Sequence, residues 1–324
     1  RGTITQAVLG KTKAAVDFEI TSDNTLKAVV NGSVIDASPF IKTDKKTKKN
    51  KEKAQDHQSM KVSVDAQKLL MDKGEVLYNS KIYFETDKQS DITWIEMDSK
   101  VGDGDMYLRF KPEEGTGKRT FRLESSDAGY TLKAFGLNDK VRGGKMTIYG
   151  QPQQGDNKGD LYGKAVMENF RVVKAPALAK LLSVMSLTGV QNLLNNEGLT
   201  FAKLESDFEW RFREAGNLLV VKDGRTSGSA LGLTFEGVVN QATDETDISG
   251  TVIPLSEVNN VIGNIPVLGK VLTGGKAFFA ATYKIKGPSG DPNVSVNPLS
   301  VLAPGFLRTI LFEENVDSKV KKAQ

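Results

Sequence analysis

EVLYNSKIYFETDKQSDITWIEMDSKVGDGDMYLRFKPEEGTGKRTFRLES, residues 75–125, decides the fold class. Apolar and polar residues alternate through EVLYNSKIYFET (75–86), DITWIEMDSK (91–100), GDMYLRFK (104–111) and KRTFRLES (118–125), and turn residues part these runs. Successive side chains of a strand point to opposite faces, so a period of two marks half-buried strands. Short polar connections between such runs predict a continuous antiparallel sheet. Gly102-Asp-Gly-Asp105 lacks the further ligand spacing and terminal Glu of a calcium loop, and reads as a hairpin turn.

The pattern extends both ways. Towards the N-terminus, AAVDFEIT (14–21) and LKAVVNGSVID (26–36, with a break at Gly32) read as strands, and MKVSVDA resumes the pattern from Met60. Towards the C-terminus come VRGGKMTIYG (141–150), GDLYGKAVMENFRVV (159–173), LESDFEWRFR (204–213), LGLTFEGVV (231–239), TDISGTVI (246–253) and the strands 278–286 and 293–296. Period two puts Phe208, Trp210 and Phe212 on one face of their strand, and likewise Leu231, Leu233 and Phe235, and Phe279, Ala281 and Tyr283. These nine are the candidate dry face. Helices are predicted over 126–137, capped by Ser126 or Asp127, over 176–197, opened by Pro176 and stopped by Gly198, and over 299–312.

Composition narrows the chemistry. The 324 residues include 31 Gly, few aromatics, no Cys and one His; 44 basic and 40 acidic residues leave a net charge of +4. That balance predicts no broad nucleic-acid face. Without Cys there is no disulfide framework or thiolate chemistry, and His57, in a Lys-rich stretch, lacks neighbours for catalysis or metal binding. Residues 42–58, with KTDKKTKKNKEK, read as a solvated loop that folding does not need, and 313–324 as a charged tail. VLTGGK (271–276) misses the first Gly and the Ser/Thr of a phosphate-binding loop, with Lys270 and Ala277 in those places. No catalytic residue, metal or cofactor is predicted. No apolar run reaches the ~18–20 residues of a membrane helix.

GTVIP (250–254), GNIPVLGKVLTGG (263–275), ATYKIKGPSGDPNVSVNP (281–298) and LSVLAPGFLR (299–308), in this order, resemble the C-terminal domain of the AsmA-like bacterial envelope proteins. The stretch from Ser126 through Pro176 resembles the same family. The resemblance implies a curled antiparallel sheet forming an elongated hydrophobic β-groove, capped by short helices. It implies a C-terminal part of a longer periplasmic protein, anchored to the inner membrane by a segment outside this sequence. It also implies non-enzymatic, bridge-like transfer of phospholipid between inner and outer membranes; on that reading part of the nine-residue dry face touches acyl chains. The alternative is a scaffold or assembly factor for outer-membrane biogenesis. Residues 254–275 and 299–312 hold apolar side chains on short turns. They predict either a cap on the sheet or a tip docking on a membrane or membrane protein through Phe306, Leu307, Ile310, Leu311 and Phe312, with Lys270 and Arg308 at phosphates.

Overall fold

The computed structural model describes residues 1–41, 58–89, 91–152, 160–185, 187–213, 216–254 and 280–299. Among these the protein is mainly β, with seventeen strands and few short helices, the strands forming an unclosed, curled sheet. The chain divides into two compact units, one of Arg1–Arg171 with Glu209–Gly216, the other of Val172–Phe208 with Asn217–Gln324.

In the first unit, β1 (Gly2–Leu9), β2 (Thr12–Ile20) and β3 (Thr25–Asp36) form a meander, and the four-residue α1 (Ser38–Ile41) follows. β4 (Ser59–Leu70), β5 (Val76–Thr86), β6 (Ile92–Val101), β7 (Gly104–Pro112) and β8 (Arg119–Ser125) continue antiparallel. After α2 (Ala128–Ala134) and the two-residue β9 (Val141–Arg142), β10 (Lys145–Pro152) pairs with β8 and with β11 (Leu161–Val172).

One pairing corrects the antiparallel expectation. β3 and β4 run parallel, from Thr25 opposite Ser59 to Asp36 opposite Leu70. Parallel neighbours need a crossover rather than a hairpin, and residues 37–58 supply it. Alternation reports which face a residue takes, not which way the next strand runs. β3 runs on through Gly32, but its ladder is irregular there: Lys13 and Ala14 of β2 lie opposite Val34 and Gly32, which leaves Ser33 as the extra residue of a bulge on β3.

Local chemistry sets the helix ends. Asp127, not Ser126, caps α2, its Oδ1 accepting from the Tyr130 amide at 2.9 Å. Gly136, at φ +68°, stops it, and the Leu137 amide donates back to the Leu132 carbonyl. The single helix expected over 176–197 is two, α3 (Pro176–Val184) and α4 (Thr188–Asn196). The Leu187 amide turns back to the Leu182 carbonyl at 2.9 Å, satisfying one of the carbonyls at the end of α3 and halting it. Both helices belong to the second unit, with β12 (Leu199–Arg211, whose last three residues fall in the first), β13 (Leu218–Gly228), β14 (Leu231–Asn240), β15 (Glu245–Pro254), β16 (Ala280–Pro288) and β17 (Asn293–Leu299). From β13 on, every ladder is antiparallel. The expected helix over 299–312, the tail 313–324 and most of the Lys-rich stretch lie outside the described residues.

Candidate functional site

Residues opposite each other in a ladder share a face, so the registers can be read straight across the strands. In the first unit one row runs Ile4, Val16, Val30, Val64, Ile82, Met97, Leu108, Leu123, Ile148, Ala165, apolar on all ten strands. Two residues along, a second row runs Gly2, Phe18, Ala28, Val62, Phe84, Ile95, Phe110, Phe121, Gly150, Gly163. Neither row contains a hydrogen-bonding side chain. At ~4.8 Å per strand, nine spacings make each row about 43 Å long. Most members are half-buried rather than sealed in a core, among them Phe84, Ile95 and Phe110.

The reverse face is its opposite in chemistry. The row between those two reads Thr3, Asp17, Val29, Ser63, Tyr83, Glu96, Arg109, Arg122, Tyr149, Lys164. Cross-strand ion pairs lace it: Arg109 with Asp98, Lys111 with Glu96 at 2.6 Å and Lys61 with Glu85 at 3.1 Å. Burial works to raise the Glu85 carboxyl, but hydrogen bonds from Tyr83 and Lys61 outweigh it and hold it below its ordinary range. Burial, then that same bond, pushes the Tyr83 phenol up to about 12. One face of this unit is thus dry in composition and the other wet.

Helix α2 closes one border of the apolar face. It sits over Ala66, Leu69, Leu77, Val101 and Met106, its own Ala128 and Ala134 fully buried there. Beneath it the small hydroxyls pair off: Ser99 donates to Ser80 at 2.9 Å, and Ser125 bonds Thr131 at 2.7 Å. Five of the seven methionines, Met71, Met97, Met106, Met146 and Met167, belong to this cluster or pack against it. Their unbranched, polarisable side chains fill irregular space.

In the second unit Leu233 lies opposite Val252 and Val252 opposite Ala281. Next to them Tyr283 lies opposite Gly250 and Val296. A Cβ on Gly250 would fall 1.9 Å from the Thr234 carbonyl oxygen and 2.9 Å from the Tyr283 hydroxyl, so glycine lets the tyrosine cross the strand. That hydroxyl donates to the same carbonyl at 2.8 Å, and burial drives its pKa upward. Phe235 and Tyr283 help line an open cleft of about 520 Å³. Over Leu233, Val252, Ala281 and Tyr283 lies α3, through Leu178, Leu181 and Met185.

Of the nine dry-face residues, the structure therefore gathers Leu233, Ala281 and Tyr283 into one apolar cluster, with β14 and β16 each pairing with β15 and meeting across it through side chains. Leu231, 1% exposed, lies opposite Pro254. Phe208, 8% exposed, belongs to the second unit; Trp210 and Phe212 belong to the first, where their rings stack at 5.9 Å. Phe212 falls beyond the end of β12 and is 36% exposed, because its amide donates to the Asp160 carboxylate instead of to a strand. Phe279 and the tip residues Phe306, Leu307, Ile310, Leu311, Phe312, Lys270 and Arg308 lie outside the described residues. Sequence reasoning did not single out the two ten-strand rows. Each strand's alternation was visible, and the short hairpins at 87–91 and 102–103 carried the signal that would have aligned them.

Among the described residues no group of His, Asp and Glu is placed to hold a metal, and no helix is long and apolar enough to cross a membrane. No family model, curated protein or solved structure matches this chain.

Proposed function

We propose that the protein is a non-enzymatic, bridge-like lipid carrier whose apolar sheet face forms an elongated hydrophobic groove for phospholipid acyl chains. The observation that carries this reading is the pair of unbroken apolar rows across ten strands of the first unit, half-exposed and backed by a charged reverse face. An acyl chain gains about 0.8 kcal/mol for each CH₂ kept from water, or about 10 kcal/mol for a dozen. It needs a continuous dry path, with no catalytic group and no enclosed pocket. The resemblance to the AsmA-like envelope proteins adds the setting: a periplasmic route between inner and outer membranes, the protein anchored to the inner one. The test is phospholipid extraction and native mass spectrometry of the purified protein. Co-purifying phospholipid supports the reading, and a lipid-free protein that takes up none from vesicles overturns it.

One observation favours a second reading, a non-enzymatic scaffold or assembly factor for outer-membrane biogenesis. Strand β1 presents Val8, 61% exposed, and Leu9, 81% exposed, and an exposed apolar strand can pair with a strand of another protein. A lipid-free protein that captures unfolded outer-membrane strands would favour it.

A further inference from the structure

The second unit repeats the chemistry of the first, with one difference. Its strands β14 to β17 carry a floor of apolar side chains: Leu233, Val252 and Ala281 in one row, Ile248, Ile285 and Val294 in another. Helix α3 covers this floor. We propose that α3 occupies a second acyl-chain site and is displaced when a lipid chain enters, so that the helix acts as a built-in competitor for the floor. The proposal rests on the lipid-carrier reading and adds a site and a gate to it.

Three features of α3 support displacement. Its grip is the kind a lipid chain can replace: Leu178, Leu181 and Met185 offer the floor CH₂ and CH₃ groups and no hydrogen bond. The polar tether is superficial. Lys180 donates to the Asp291 carboxylate and, at 2.9 Å, to the Pro292 carbonyl, and the Asp291 side chain is 84% exposed; ion pairs so exposed contribute little. Finally, α3 is a nine-residue helix whose N-cap, Ala175, offers no side-chain bond. A helix this short is not stable by itself, but α3 packs on α4 as well as on β17, and the Lys174 amide donates to the Leu194 carbonyl at 3.3 Å. The two helices are thus one packed pair, with Val190 and Leu194 of α4 buried, and on this proposal the pair would move as a unit. Lys174, at φ +47°, sits at the hinge point in a backbone region that lysine rarely adopts.

The chain contains no Cys, so engineered thiols are unique. In the Lys180→Cys/Asp291→Cys double variant a short bis-maleimide would bridge α3 to the turn beside the floor, with the same variant capped by N-ethylmaleimide as the unbridged control. Both are incubated with vesicles of phosphatidylethanolamine and phosphatidylglycerol containing a phospholipid with a diazirine in its acyl chain, irradiated and mapped by peptide mass spectrometry. The expected result is adducts on residues 231–254 and 280–299 in the capped protein, reduced at least five-fold in the bridged one, with adducts on residues 60–125 equal in both. Floor adducts undiminished by the bridge would show that lipid enters without moving α3. Adducts confined to residues 60–125 in both samples would show that α3 is a permanent part of the core. Either result overturns the proposal and leaves the carrier reading standing. Adducts in neither unit overturn both.

Discussion

Ile95→Asp is the most direct challenge to the proposed lipid path. Ile95 lies between Phe84 and Phe110 in the second apolar row, half-buried and apart from the residues under α2. Full burial of such a side chain is worth roughly 1.5–3 kcal/mol, and since Ile95 is already half-buried its removal forfeits about half of that in contact with a bound chain. The carboxylate adds more, because a chain passing over it must strip its water, at a cost of several kcal/mol if it stays charged. A chain running across the strands meets this row at every ~4.8 Å and has only the neighbouring row as a detour. Each 1.4 kcal/mol is tenfold in Kd, so at lipid concentrations below saturation phospholipid per protein is expected to fall at least tenfold. Tyr107→Asp places the same charge on the reverse face, at a residue that is exposed, and is expected to leave lipid content unchanged. The assay is phosphorus and mass-spectrometric quantification of extracted lipid, with thermal melting to establish that both variants are folded. A folded Ile95→Asp protein carrying as much lipid as Tyr107→Asp would refute the assignment of this face.

Four further outcomes concern stability. Burial raises the Glu205 carboxyl pKa, but hydrogen bonds from Lys203 and Arg225 outweigh it and set it below its ordinary 4.5. Its stabilisation is therefore present above that value and lost as pH falls through the lowered one, so the Tm gap between wild type and Glu205→Gln should be full at pH 7 and close in acid. Asp160, 4% exposed, accepts from the Phe212 amide at 2.9 Å and from both terminal nitrogens of Arg213 at 2.7 and 2.8 Å; Asp160→Ala should cost roughly 2–3 kcal/mol in urea unfolding. In Gly163→Ala the new Cβ would fall 2.0 Å from the Tyr149 carbonyl oxygen, forcing β10 and β11 apart, and a loss of about 1–3 kcal/mol is expected from the same measurement. Replacing residues 42–57 with Gly/Ser of equal length should leave Tm within a few degrees, whereas deleting them should abolish cooperative melting, which narrows the expected dispensability of this segment to its composition and excludes its length. The parallel β3–β4 ladder obliges the chain to travel back over a strand of about 36 Å, and residues 37–41 reach at most about 17 Å.

Much of the fold was legible because its signals are local. Ile95, Met97 and Ser99 alternate with Trp94, Glu96 and Asp98, and that is enough to define a half-buried strand. Asp127 before an apolar run is enough to start a helix. What was illegible depended on distant partners. Nothing within residues 25–36 reveals that their neighbour runs parallel, since that follows from where residues 59–70 arrive. Leu187 halts α3 through one backbone bond that its side chain does not announce. The candidate face shows the same division. Leu233 and Ala281 were readable as members of an apolar face, but their cover, α3, comes from a segment some fifty residues upstream of the first and a hundred of the second. Phe212 kept the alternation of its strand and yet lies past its end, because Asp160 claims its amide.

The parallel joint between β3 and β4 also bears on how the chain acquires its structure. The ladders from β4 to β8 join sequence neighbours through short turns, so each strand can add to the last as soon as both exist, and contacts this local form quickly. At the joint, Thr25 meets Ser59 across 34 residues, and the chain between them must be confined before any ladder bond compensates for it. The meander of β1 to β3 and the one beginning at β4 are thus suited to nucleate separately, with their docking as the slow step. The apolar rows would become continuous only then, so the strands that form the dry path would assemble before the path itself exists.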